Sequence, residues 1–366
     1  MTDHSPPVFE RPAWMLPTPA RRDEPAQGGS LRALTLRLMR GESLSRAEAA
    51  GLLGELLGGE ATDAQIAAAL VALAVKGETV EELTGMALAM RERAVRIHSC
   101  HERFVDTAGT GSSAAKTFNV STAAALVIAG AGLPVAKHGS RAATSRSGSA
   151  DVLSALGVNV SATPAASEKS LNEIGICFMF APLYHGATAR VAGVRRELGV
   201  HTTFNLLGPL TNPARAPRQV IGVWHAGLVE PLARTLAALG SGRAWVVHGA
   251  DGLDEVTLNG STLVAEAAGG SVRTFEIAPE DFGLPRAALD SLRGGDAEAN
   301  ARIIRDVLEG RRRDAARDLV TANAATALCV GGESADLISA AKLAAHSIDS
   351  GAALAKLEQL IEVTGA

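Results

Sequence analysis

FVDTAGTGSSAAKTFNVSTAAALVIAGAGLPVAKHGS, residues 104–140, decides the fold. A short apolar run, FVDTAG, breaks off at a glycine. NVSTAAALVIAGAG then supplies small apolar residues over a helix's length, and LPVAKHG is a second apolar run that ends on a cation. Strand, buried helix and strand make the unit of a parallel sheet, because strands covered on both faces read as continuous apolar runs rather than as alternation. Working outward, ICFMFAP (176–182), QVIGVWH (219–225) and AWVVHG (244–249) repeat the strand pattern, with helical SADVLSALG (149–157) and LVEPLARTLAALG (228–240) among them. STLVAEA (261–267) and SVRTFEI (271–277) are strand-like, and the chain turns helical from about Ala297.

Upstream the texture is wholly helical from about residue 30 to 98. Ser45-x-x-Glu48, Thr62-x-x-Gln65 and Thr79-x-x-Glu82 are capping-box signatures, each just before a periodic Ala/Leu run. The predicted class is therefore α/β: a small helical N-terminal domain (30–100), then a larger α/β domain (101–366) with a central, mostly parallel sheet. Residues 1–29, rich in Pro and charge, read as a disordered or surface-draped tail and lack the apolar centre of a signal peptide.

Composition narrows the class of function. Apolar residues make up 47% of the 366 and aromatics 3%, which suits packed helices and a parallel sheet rather than disorder. A net charge of −4 offers no general attraction to nucleic acid, and Arg311-Arg312-Arg313 reads as a solvated turn. Cys100, Cys177 and Cys329 are too scattered for a disulfide framework or a zinc site. No apolar stretch approaches the roughly 20 residues of a membrane helix, so the expected location is the cytoplasm.

The chemistry gathers at predicted strand ends. Gly109-Thr110-Gly111-Ser112-Ser113 follows the first strand and shortly precedes a helix beginning near Asn119-Val120-Ser121-Thr122. Glycines there let backbone N–H groups approach an anion, and a helix N-terminus adds partial positive charge. The alternative is a tight turn capped by Asn119 or Ser121, and neither common nucleotide fingerprint is met. Lys137-His138-Gly139-Ser140-Arg141, followed by Thr144, Ser145 and Ser149, loads a second strand end with a cation and hydroxyls, and tips the reading toward phosphate. In VVHGADGLDEVT, Asp251, Asp254 and Glu255 follow another buried strand. Asp-Gly marks ordinary turns, but beside a phosphate cradle adjacent carboxylates point to a hard cation such as Mg²⁺. None of the usual nucleophile–base constellations is evident here.

GTGSS (109–113), TFNVST (117–122), KHGSR (137–141), GSADVL (148–153), VRRELG (194–199), FNLLGPLTNP (204–213) and DGLDE (251–255) occur in that order. Together they resemble the anthranilate phosphoribosyltransferase family, within the nucleoside phosphorylase-like phosphoribosyltransferases. The likeness runs from about residue 30 to the end and includes GGDAEAN (294–300) and IDSGAALAKL (348–357). The resemblance implies a homodimer contacting through the helical part, with a segment near 190–205 packing on that part. It implies transfer of the phosphoribosyl group of 5-phosphoribosyl 1-diphosphate (PRPP) to the amine of anthranilate, with release of pyrophosphate, in tryptophan biosynthesis. Partners would be these small molecules, with no nucleic acid or membrane.

Carried over by position, Gly109, Ser112, Ser113, Thr117, Asn119, Val120, Ser121 and Thr122 would hold the diphosphate and ribose, continued by Lys137, His138, Gly139, Ser140, Arg141, Ala142, Ala143, Thr144, Ser145 and Ser149. Ser121, Asp254 and Glu255 would serve Mg²⁺; Gly109, Ser140 and Arg195 would face anthranilate; Lys137, Asp254 and Glu255 would carry catalysis. The chain departs from the family pattern at Ser112-Ser113, where Gly-Asp is usual, at Ser140, usually Asn, and at His185-Gly186, usually His-Pro. A paralogue with another aromatic amine or a nucleobase as acceptor, and a non-catalytic binding protein on this fold, remain as alternatives.

Overall fold

The structure is a computed structural model that describes residues 30–111, 117–142 and 147–365. Four helices come first: α1 (Leu31–Met39), α2 (Arg46–Leu57), α3 (Asp63–Lys76) and α4 (Val80–Arg93). The three capping boxes are formed as read, with the Ser45, Thr62 and Thr79 side chains accepting from the backbones of Glu48, Gln65 and Glu82. Each cap stabilises its helix by about 1 kcal/mol. Glu82 does more than cap. Fully buried, it accepts from the Leu44 and Thr79 amides (both 2.8 Å) and pairs with Lys76 at 2.8 Å, so one carboxylate ties three segments of the bundle together. A charge buried with its hydrogen bonds satisfied is tolerated; one stripped of its partner costs several kcal/mol.

The α/β part runs β1 (Val105–Gly109), α5 (Val120–Gly130), β2 (Val135–Gly139), α6 (Ser149–Ala155), α7 (Pro164–Ile174), β3 (Ile176–Phe180), α8 (Ala181–Tyr184), α9 (Ala189–Leu198), α10 (Thr203–Leu210), β4 (Arg218–Gly222), α11 (Val229–Ala238), β5 (Arg243–Gly249), β6 (Thr262–Ala268) and β7 (Ser271–Ile277). Helices α12 (Ala297–Leu308), α13 (Ala315–Gly331), α14 (Leu337–Asp349) and α15 (Ala352–Gly365) complete it. The sheet order is β3-β2-β1-β4-β5-β6-β7. The first five strands in that order are parallel, and β6 and β7 extend the sheet as an antiparallel hairpin.

Two apolar cores flank the sheet. On one face α5 is buried along almost its whole length, with Leu126 and Ile128 in a cluster that also holds Leu319, Leu328 and Leu357. The second core joins the helical bundle to the other face: Leu53, Leu70 and Met86 share one cluster with Val191, Phe204, Leu207, Ile221 and Val246. Helices α9 and α10 meet the bundle through polar ties as well. Arg190 pairs with Asp63 at 2.6 Å and donates to the Ala61 carbonyl, Thr203 donates to Glu78 at 2.5 Å, and Arg91 donates to the Leu210 carbonyl at 2.8 Å. Thr203 and Arg91 thereby hold α10, which carries the FNLLGPL motif, between bundle and sheet.

Candidate active site

The chain leaves β1 for β2 and β3 on one side, then returns to place β4 on the other, so β1 and β4 frame a topological switch point. Ligands of open parallel sheets bind beyond the strand carboxyl ends at such a point. Gly109 and Gly222 are register partners there. A Cβ on Gly222 would stand 1.6 Å from the Asp254 carbonyl oxygen, and one on Gly109 would stand 3.4 Å from Asp254 Oδ2. Glycine at 222 thus lets the 251–255 loop cross directly over the switch point.

That loop is shaped before it binds anything. Asp251 accepts from Leu253 N and, at 2.6 Å, from Thr257 Oγ1, so its carboxylate is spent on the turn. Asn323 of α13 clamps the far end, accepting from Val256 N and donating to Val256 O, both at 3.0 Å. Asp254 and Glu255 are the loop's other two carboxylates, and Glu255 accepts from the Ser121 amide. Glu255 lines one cleft with Thr107, Ser121 and Gly222. Burial, then the Asp254 charge, pushes the Glu255 carboxyl up to about 8, with Lys137 and the Ser121 amide pulling the other way. Two adjacent oxygen donors that repel one another, with Glu255 lining the cleft, suit a hard dication, which commonly takes one or two carboxylates plus substrate oxygens.

Lys137 comes from β2 to the side chain of Ser121, which lines that cleft. Its ammonium is buried, contacts the Thr107 carbonyl, and lies 3.3 Å from Ser121 Oγ and 3.5 Å from Thr107 Oγ1. Burial lowers its pKa, opposed by the charges of Asp106 and Glu255. Asp106 is fully buried beneath, accepting from the His138 amide at 3.2 Å, and burial raises it to about 6. His138 is buried too. Its Nδ1 is 3.2 Å from the Gly208 carbonyl, which can only accept, so Nδ1 carries the proton. Burial, with His185 edge-on at 5.1 Å, pushes His138 down to about 3, and burial pushes His185 down to about 4. Neither ring is a cation near neutrality.

At the start of α5 the first amides are bonded within the turn itself. Asn119 occupies the N-cap position without a side-chain cap, and Ser121 does not cap either. The Thr122 and Ala123 amides close on Asn119 O, and Val120 N closes on Phe118 O. Val120 and Thr122 are buried, and the Thr122 hydroxyl has no partner among the described residues. Asn119 instead turns its amide to Ser147 and Asn300. Thr117 pairs its backbone with Arg293 in an isolated antiparallel bridge.

On the next loop Gly139 lies against Ser149, whose hydroxyl donates to Ser140 O at 3.4 Å, and Ser140 is exposed. Arg141 pairs with Asp151 at 2.9 Å. The Ala142 and Gly148 amides both donate to the second Asp151 oxygen at 2.9 Å, so one carboxylate stitches the two ends of the loop. Burial alone would raise the Asp151 pKa; these donors outweigh it and hold the carboxyl below its usual range. Ser112, Ser113, Ala143, Thr144 and Ser145 lie outside the described residues.

Arg195 sits at the end of α9 with its guanidinium 5.2 Å from the centre of the Phe204 ring on α10. It is half-buried, whereas neighbouring Arg196 is exposed. The same α10 offers its Gly208 carbonyl to His138, so one helix links the arginine to the β2 strand end. Asp106, Asp151, Asn300 and Asn323 escape a reading of local motifs, because each acts on a partner that folding brings to it.

Residues 32–94 match the helical bundle domain of a glycosyl transferase family, and residues 101–354 match the α/β domain of that family. The anthranilate phosphoribosyltransferase of Moorella thermoacetica is 53% identical over 331 residues, covering 90% of this chain and 97% of that protein. The chain belongs to the anthranilate phosphoribosyltransferase family. The crystal structure of the anthranilate phosphoribosyltransferase from Thermus thermophilus superposes with a TM-score of 0.86 at 41% identity, over 91% of this chain and 99% of that one. The anthranilate phosphoribosyltransferase of Saccharomyces cerevisiae, solved in complex with PRPP and Mg, gives 0.84 at 29% identity, over 92% and 98%. The expected α/β class, with its helical N-terminal domain and mostly parallel sheet, is that of the anthranilate phosphoribosyltransferases.

Proposed function

We propose that the chain transfers the phosphoribosyl group of PRPP to the amine of anthranilate, giving N-(5-phosphoribosyl)anthranilate and pyrophosphate in tryptophan biosynthesis. The observation that carries this reading is the meeting of three side chains at the sheet's switch point: Ser121 lines one cleft with Glu255, and the Lys137 ammonium lies 3.3 Å from the Ser121 hydroxyl. Family membership supports it, and so does the yeast relative solved with PRPP and Mg.

Breaking the ribose C1–oxygen bond builds positive charge on the sugar and negative charge on the departing diphosphate. Lys137 holds a cation on the side of the leaving group, its orientation set by Thr107 and Ser121. Such preorganised charge is worth more in a dry cleft than in water. The acceptor's amine attacks C1 directly, so no protein nucleophile is required, and catalysis is positioning plus electrostatics. Asp254, Glu255 and Ser121 would hold Mg²⁺, which when bound neutralises charge on the diphosphate oxygens. Gly109, Thr117, Asn119 and the 137–149 segment would hold the rest of the donor, with Ser140 facing the acceptor.

Arg195 would read the anthranilate carboxylate. It has no hydrogen-bond or ion-pair partner among the described residues, while burial lowers its pKa, so an incoming carboxylate would supply its missing counter-charge. We further read the chain as a homodimer joined through its helical bundle, where Leu36, Met39, Val71 and Val75 are exposed. Three free cysteines suit the reducing cytoplasm, and among the described residues no helix is long and apolar enough to cross a membrane.

The test mixes purified protein with Mg²⁺, PRPP and anthranilate and follows the loss of anthranilate fluorescence. Loss dependent on PRPP, with pyrophosphate formed in equal amount, is expected. PRPP binding in calorimetry without anthranilate consumption would overturn the acceptor.

A further inference from the structure

The turn that starts α12, GGDAEAN (294–300), reaches the start of α5 from far along the chain. Asn300 is 2% exposed. Its Nδ2 donates to Asn119 Oδ1 at 3.0 Å, across 181 positions of sequence. Its Oδ1 accepts from the Gly295 amide at 2.7 Å. The turn lies flat on residues 117–118, for a Cβ on Gly294 would stand 2.5 Å from Thr117 O and 2.7 Å from Phe118 N. The Thr117–Arg293 bridge extends the same contact.

At Asn119 these bonds settle which way the amide faces. An amide oxygen has two lone pairs and an amide nitrogen two protons. Oδ1 accepts from Asn300 Nδ2 and from Ser147 Oγ (3.1 Å), which fills both lone pairs. Nδ2 donates one proton to Ser147 O at 3.2 Å. Among the described residues one Asn119 N–H is left, able to meet an oxygen of the donor. Turned over, the amide would set its N–H groups against the Asn300 N–H groups.

We propose that Asn300 is a positioning residue for PRPP: it fixes the amide of Asn119 with one donor outward and pins the α12 turn to residues 117–118. It acts through Asn119 and does not touch the substrate. This deepens the phosphoribosyl reading above and rests on it.

Asn300→Asp is nearly isosteric and still accepts from Gly295, but it faces Asn119 Oδ1 with oxygen. The full chain with Mg²⁺ should show a KM for PRPP raised tenfold or more, an anthranilate KM within twofold of wild type, and weaker PRPP binding in calorimetry. In an Asn119→Ala background the same change should add less than twofold, since neighbours acting through one group are not additive. Should Asn300→Asp not fold, Asn300→Ser serves in the same comparison. Unchanged PRPP affinity, equal rises in both KM values, or full additivity in the Asn119→Ala background would each overturn the assignment. A wild-type protein that binds PRPP without consuming anthranilate would sink the acceptor reading, while the calorimetric contrast at Asn300 would still stand.

Discussion

The ammonium of Lys137 lies 3.3 Å from the Ser121 hydroxyl, joining the middle of strand β2 to the first turn of helix α5. In the proposed reaction both residues would lie on the leaving-group side, and Glu255 lines the same cleft as Ser121. Four outcomes follow from this arrangement and its surroundings.

Lys137→Ala deletes the buried cation proposed to face the diphosphate. Losing a charged contact of about 1.5–3 kcal/mol should lower kcat/KM for PRPP about 10–100-fold. The anthranilate KM should move little. Steady-state kinetics with each substrate varied in turn decides it; a change confined to the anthranilate KM would move Lys137 into the acceptor pocket.

Asp254→Asn with Glu255→Gln removes both loop carboxylates while keeping their size. Activity should vanish at low Mg²⁺ and return in part at high Mg²⁺. A Mg²⁺ titration of wild type and double variant reads this directly. Identical curves would mean that the loop holds no metal.

Arg195→Lys keeps the charge and loses the planar fork that matches a carboxylate. The anthranilate KM should rise roughly tenfold or more, as expected for about 1.5–3 kcal/mol of charged hydrogen bonding. The PRPP KM should hold, and exposed Arg196→Lys should behave as wild type. An unaltered anthranilate KM in Arg195→Lys would place carboxylate recognition elsewhere.

His138 and His185 carry a pH signature of stability. Their folded values, about 3 and about 4, lie below the roughly 6.5 of a free histidine. The folded state stays neutral where the unfolded chain binds protons. Their contribution is therefore complete above about pH 6.5 and is lost as pH falls toward 4, by about 1.4 kcal/mol per pH unit for each ring. Melting curves between pH 7 and 4.5 should show a shallower loss for His185→Gln than for wild type. Parallel slopes would show that the His185 ring does not titrate as its burial demands.

Much of this architecture was open to reading because its signals are local. Continuous apolar runs gave β1 to β5 their type, and the Ser45, Thr62 and Thr79 boxes marked three helix starts that the structure reproduces. What stayed hidden is set by partners distant in sequence. Nothing near Asn119 reveals that its amide turns away from the helix end to Asn300. Asp151 sits inside a recognisable motif, yet its grip on Ala142 and Gly148 needs both loop ends in place. The position of β4 beside β1, which creates the switch point, belongs to chain order in space. Hydroxyls could be read as anion-binding, but the Thr122 hydroxyl is buried, because helical period rather than residue type decides which face is wet.

The apolar core shared by bundle and sheet has a consequence for recombining relatives. The chain leaves the bundle at 94–104, returns at 185–188 and departs again at 211–217, with α9 and α10 between. Leu53 and Met86 meet Val191 and Phe204 in the same cluster that reaches Ile221 and Val246. A chimera spliced once near residue 100 would join a foreign bundle to α9, α10 and a sheet face shaped for this one, mismatching packed volumes at several places together. An exchange that preserves folding has to move residues 30–100 and 186–216 as a pair and keep Arg190 with Asp63 and Thr203 with Glu78. The unit of inheritance here is a shared contact surface, and one contiguous piece of chain does not carry it.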